Sequence, residues 1–185
     1  MLERERWEID ESASTLIFAL RHLVVGEIKG RFGRWGGVLL LDPSQLGRSS
    51  LEVWIDLASV DTGDVERDAH LRSAELLDVA RFPRAVFRST GIALRADGDA
   101  TVSGRLDLHG VARDVELGVT AEGRADYRAR AKIDRQDFGL HWNQDLDVGG
   151  IVVGDNVEII AHVEMIRTAE TVPGRNPEPR IPGAR

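Results

Sequence analysis

Apolar and polar residues alternate along most of the chain, the period-two signature of β-strands with one buried face. Leu16, Phe18 and Leu20 share one phase. Leu51, Val53, Ile55 and Leu57 repeat it, with Ser50, Glu52 and Asp56 on the other face and Trp54 as an exception. Val102, Gly104, Leu106 and Leu108 follow, then Val115, Leu117, Val119 and Ala121, with His109-Gly110-Val111-Ala112 read as the turn between them. Ala125, Tyr127, Ala129, Ala131 and Ile133 alternate with Arg124, Asp126, Arg128, Arg130 and Lys132, and Val157, Ile159, Ala161, Val163 and Met165 continue the theme. Together with residues 31–41 and 84–94, the pattern predicts about eight strands.

Long antiparallel strands with one wet face hide the other in a sandwich or by closing on themselves. An eight-stranded barrel has interior enough for one small ligand. A single helix is predicted between the third and fourth strands, where Asp61 and Asp64 offer N-caps ahead of Val65 to Leu71. Ser73 can cap a further short turn through Glu75, Leu76 and Leu77, and Pro83 ends the segment. After Arg167 the chain carries Pro173, Pro177, Pro179 and Pro182 among Gly, Arg and Glu, a composition that cannot bury enough apolar surface to fold. The expected organisation is a barrel domain over residues 1–167 and a proline-rich flexible tail over 168–185.

Composition narrows the function. At 185 residues and 42% apolar, the chain is sized for one domain with a real core. A net charge of −7, from 24 basic and 31 acidic residues, opposes nucleic-acid binding, and no nucleic-acid partner is expected. With no cysteine there is no disulfide, thiolate nucleophile or cysteine zinc site. The N-terminal Met1-Leu2-Glu3-Arg4-Glu5-Arg6 lacks the pattern of a signal peptide, so a cytoplasmic location is the default expectation. No apolar run approaches the roughly 20 residues of a membrane helix, and no transmembrane segment is expected.

Candidate chemistry is sparse. His22, His70, His109, His141 and His162 form neither an HxH nor an HExxH pair, so no metal site is assigned. The acidic stretch 143–149 lacks the full ligand pattern of a calcium loop and reads as a solvated turn. Nucleophile elbow, phosphate loop and dinucleotide fingerprint are all missing, and no catalytic residue is assigned. The glycine-rich Gly33-Arg34-Trp35-Gly36-Gly37 reads as a bend in a curved sheet, and Asp61, Asp64 and Asp68 as caps and a solvated helix face.

Phase is more informative. The inward register of Leu16, Phe18 and Leu20 continues onto His22, and that of Ala129, Ala131 and Ile133 onto Arg135. A buried guanidinium is costly alone, so Arg135 should meet a carboxylate, backbone carbonyls or a ligand head group, unless the strand has ended before it. Small Ala129 and Ala131 on a barrel wall leave volume, to be filled by Phe138 or Trp142 or by a ligand chain.

These segments taken in order resemble the YceI-like family of lipocalin-like, isoprenoid-binding proteins. The resemblance is carried by Trp7-Glu8-Ile9-Asp10, Gly30-Arg31-Phe32, Val60-Asp61-Thr62, Asp68-Ala69-His70-Leu71-Arg72-Ser73 and Phe82-Pro83-Arg84-Ala85-Val86-Phe87. It continues through Gly104 to Val111, Ile133 to Leu140 and Val153-Gly154-Asp155-Asn156-Val157, covering about residues 7 to 166. It implies an extended eight-stranded antiparallel barrel with a helix beside one end, enclosing a tunnel for a polyisoprenoid or other long-chain lipid, with no established catalysis.

The resulting expectation is an all-β lipocalin-like barrel that binds, and carries or stores, a long-chain isoprenoid-type lipid such as a polyprenyl lipid or quinone. Its expected lining is Leu16, Phe18, Leu20, Val53, Ile55, Phe87, Ala129, Ala131 and Phe138, with His22 and Arg135 near the polar head. No cofactor other than this lipid is expected, and exposed strand edges or the helix could support a homodimer. Two rival classes stay open: an enzyme acting on a lipid or quinone head group with His22 or His70 as base, and a stress-related interaction protein whose barrel is filled by its own side chains.

Overall fold

The computed structural model describes residues 4–22, 26–141 and 153–168. Trp142, the acidic stretch 143–149 and the proline-rich tail after Thr168 lie outside the described residues. The strands are β1 (Glu5–Ile9), β2 (Thr15–His22), β3 (Gly26–Phe32), β4 (Trp35–Leu41), β5 (Ser50–Asp56), β6 (Val60–Asp61), β7 (Arg84–Leu94), β8 (Ala100–Leu108), β9 (Val111–Ala121), β10 (Asp126–Asp134) and β11 (Val153–Thr168). The helix α1 (Val65–Arg72) stands between β6 and β7.

All strand pairings are antiparallel, and β1 closes the sheet by pairing with both β4 and β11. Since β1 and β2 both lie along β11, and β3–β4 and β5–β6 are likewise successive pieces of one course, the barrel has eight antiparallel staves in chain order. The helix therefore lies between the third and fourth staves, as the alternation predicts. Contact between β9 and β10 is limited to Gly118–Ala121 against Tyr127–Arg130, so residues 111–117 of β9 pair only with β8.

Polar side chains stitch the breaks within staves. Glu5–Ile9 was not among the predicted strands; it is separated from β2 by a turn in which Asp10 accepts bonds from the backbone N–H and hydroxyl of Ser12, at 2.9 and 2.6 Å. Ser14 then accepts the backbone N–H of Glu164 at 2.9 Å, tying that turn to β11. Gly33 and Arg34 make the predicted bend between β3 and β4, where the Gly33 N–H reaches the Ser59 carbonyl at 3.0 Å. Between β8 and β9 the turn is shorter than its sequence suggests. His109 and Gly110 alone form it, with φ of 55° and 72°, and Val111 and Ala112 already belong to β9. Two successive positive φ angles match the twist of a two-residue hairpin.

The predicted inward phase is the phase found. Ala161 pairs with Leu16 on one side and Ala129 on the other, and Ile159 pairs with Phe18 and Ala131. Trp54, the exception to its strand's alternation, pairs across Gly36, and the Arg84 guanidinium carbon lies 5.1 Å from its ring centroid. An aromatic on a wet face is tolerated when a neighbouring cation covers it and a glycine leaves it room.

The lumen holds two packed clusters. One gathers Ile9, Leu16, Trp35, Ala161 and Met165, with Trp7, Tyr127 and Val53 packed against it. The other gathers Leu57, Ala85, Leu108, Ile133 and Phe138. Phe87 is accommodated by Gly104, where an added Cβ would lie 2.6 Å from both Phe87 Cε2 and the Arg88 carbonyl oxygen. Gly104→Ala should therefore cost about 1–3 kcal/mol of stability in urea unfolding, through overpacking. Gly118→Ala, where an added Cβ meets open space, is the matched control and should cost nothing. Equal losses at both positions would show that the Phe87 contact is not the cause.

Candidate functional site

The end of the barrel beside α1 is hollow. A cavity of about 530 Å3 opens there, walled by apolar side chains that include Leu20, Ile28, Ile55, Leu106, Val157 and Ile159. Polar groups gather on one side of it, Asp64, Glu66, Arg67 and His70 from α1 and its N-cap, with His22 and Arg135 from the strand ends. This is the arrangement of a binding site that orients an apolar body by a few polar contacts.

The helix is placed mainly by hydrogen bonds. Asp64 caps it, accepting the Arg67 N–H at 3.0 Å. Asp68 was expected on a solvated face and is instead buried, because Thr62 donates to it through both its backbone N–H, at 2.9 Å, and its hydroxyl, at 2.7 Å. Arg72 donates to the Ala58 and Val60 carbonyls at 2.9 and 2.7 Å. Both anchors fix α1 to the β6 course, leaving Leu71 and the following Leu76 and Leu77 to line the cavity. On that course, Asp61 is held below the ordinary carboxylate value, chiefly by its hydrogen bond from Arg31 and then by the Gly63 N–H. Folding thus favours its ionised form, a contribution complete above the ordinary value of 3.8 and lost as pH falls through the lowered one.

Arg135 is buried in a short 3-10 turn that follows β10. It donates to the carbonyls of Gly154 at 3.2 Å, Val153 at 3.3 Å and Leu140, and to Asp155 Oδ1 at 3.0 Å. The partners expected of a buried guanidinium are carbonyls and a carboxylate of the protein itself. Arg135 thereby joins Leu140 to the start of β11 and frames one side of the cavity. His70 Nε2 lies 2.9 Å from Glu75 Oε2 at the cavity's helical side.

Of the residues expected to line a ligand site, Phe18, Leu20, His22, Ile55 and Arg135 face this cavity. Leu16, Val53 and Ala129 lie deeper, in the packed cluster around Trp35. Phe138 is buried in the second cluster, Phe87 is buried over Gly104, and Ala131 is half-buried beside Ile159 without bordering the cavity. Ile28, Phe32, Leu57, Val60, Ala85 and Leu106 also border it, beyond the lining that the alternation predicts. Their inward phase was visible for Leu57 and Leu106; what was missing was their height along the barrel. Among the described residues no cluster of three metal-ligating side chains comes together, and no helix is long and apolar enough to cross a membrane.

A closed eight-stranded antiparallel barrel, hollow at the end where one short helix sits, defines a lipocalin-like barrel with an end-cavity. The model of the YceI-like domain matches residues 7–165, and the chain belongs to that family. It is 35% identical over 159 residues to the Protein YceI of Salmonella newport, covering 81% of this chain and 80% of that one. It is 31% identical over 136 residues to a UPF0312 protein of Vibrio cholerae, covering 69% of this chain and 72% of the relative. Among solved structures it is similar to BcnA of Burkholderia cenocepacia, with a TM-score of 0.74 at 25% identity over 85% of this chain and 99% of that one. It also shares its fold with a polyisoprenoid binding domain from Saccharophagus degradans, at a TM-score of 0.66 and 21% identity over 88% of this chain and 98% of that one.

Proposed function

We propose that this protein binds one long-chain isoprenoid-type lipid, a polyprenyl lipid or a quinone, with its tail in the end-cavity and its polar head among the side chains beside α1. The observation that carries this reading is the largely apolar cavity of about 530 Å3, whose polar lining comes from α1, its N-cap segment, the end of β2 and the turn that follows β10. The description of the Saccharophagus degradans neighbour as a polyisoprenoid binding domain supports the ligand class. On this reading the role is to hold and carry the lipid, and the head-group side chains orient it without reacting.

Organic extracts of freshly purified protein, read by mass spectrometry, should contain a prenyl lipid near one per chain. Titration with prenyl alcohols of increasing length should show affinity rising by about 0.8 kcal/mol for each further buried methylene, then levelling off. Affinity that does not change with length would overturn a tail-binding cavity.

A further inference from the structure

The hollow part of the barrel stops well before the barrel does. On β11 the cavity wall runs from Val153 to Ile159, about 20 Å of strand at the usual rise per residue, while the strand itself continues to Thr168. The next inward positions along three courses, Leu16, Val53 and Ala161, are packed together with Trp35.

Two phenyl rings stand at that level. Phe18 and Phe32 both border the cavity, with ring centroids 5.4 Å apart and planes inclined at 43°. Phe32 and Ile55 are each packed against both core clusters, which places them on the boundary between the hollow and the filled lumen. The position of the Phe18 ring has a cause in its neighbour. Gly30 pairs directly with Phe18, and an added Cβ there would lie 2.6 Å from Phe18 Cε1, so the ring lies across the bare backbone of Gly30 and beside Phe32.

Resting on the lipid-binding reading above, we infer that the Phe18–Phe32 pair is the floor of the cavity and sets the longest prenyl chain the protein accommodates. Each methylene that reaches the apolar wall above the floor improves Kd about fourfold. A methylene beyond the length of the cavity has nowhere to enter, because the side chains below are close-packed, and it stays at the mouth in water. Length selection is then a property of these two rings rather than of the polar groups beside α1.

The test uses the full chain as wild type, Phe32→Ala and Phe32→Leu, each titrated with a series of prenyl alcohols and each melted without ligand. Phe32 is the position to change because it is half-buried, and Phe32→Leu is a milder variant should Phe32→Ala fail to fold. Removing the ring opens space comparable to one isoprene unit below the present floor. The expected result is that the length at which affinity levels off increases by about one isoprene unit in Phe32→Ala, and less in Phe32→Leu. An unchanged plateau length in folded variants, or uniform weakening at every length, would overturn the floor and leave Phe32 as ordinary wall. Wild-type protein that binds no member of the series would overturn the lipid-binding reading itself, and the floor with it.

Discussion

Replacing Arg135 by alanine should lower stability by about 3–5 kcal/mol, a large share of what holds a domain of this size together. The side chain is 7% exposed, and its guanidinium joins the carbonyls of Leu140, Val153 and Gly154 to the carboxylate of Asp155. Alanine would take the guanidinium from the three carbonyls, while Asp155 keeps its bond from Gln136 Nε2 at 2.9 Å, and buried acceptors left unmet carry their full desolvation cost. Lysine in the same place keeps the charge and loses the planar fork, so it should recover only part of the loss. Asp155→Asn should be milder, because that side chain is 40% exposed and is one acceptor among several. Urea unfolding of the three variants gives the order. A neutral Arg135→Ala would show that the guanidinium is not part of the framework, and its place at the cavity wall would then have to be explained by a ligand head group.

That pair of explanations was already present in the alternation of the chain, and the contrast shows where sequence reading reaches and where it stops. A period of two reports which face of a strand a side chain occupies, so Leu16, Phe18 and Leu20 and their partners Ala161, Ile159 and Val157 were assignable inward before any pairing was known. It does not report height along the barrel. Height depends on the offset between neighbouring strands, and that offset puts Leu16 with Trp35 in a packed cluster while Leu20, four residues on, faces an open cavity. Ala129 and Ala131 suffered from the same blindness: both face inward, yet neither borders the hollow. The helix shows the other limit. Its cap at Asp64 is local and legible, whereas the burial of Asp68 depends on Thr62 folding back over it from the end of β6. The resemblance to the YceI-like family supplied the closure of the sheet, which period alone leaves open between a sandwich and a barrel.

Ala85→Trp should weaken binding of a long prenyl chain by at least about a hundredfold while leaving the ligand-free barrel folded. Ala85 sits in β7, pairs with Ile55, and borders the cavity with a side chain too small to occupy it. An indole projecting from this position fills space that several methylenes of a ligand would otherwise take, each worth about 0.8 kcal/mol. Ala85 belongs to the second cluster but also borders the cavity, and an indole turned into that hollow should change ligand-free stability by no more than about 1 kcal/mol. Were the lumen at this level filled in solution by the protein's own side chains, the same substitution would overpack it and lower stability by about 1–3 kcal/mol with no ligand present. Arg88→Trp, three residues along the same strand at an exposed position, controls for the introduction of an indole. Melting of the ligand-free proteins together with titration by one long prenyl alcohol separates the cases. Loss of binding without loss of stability, confined to Ala85→Trp, is the result a real cavity requires. Undiminished binding in that variant would mean that the ligand does not enter the barrel beside Ile55, and the end-cavity would lose its claim to be the binding site.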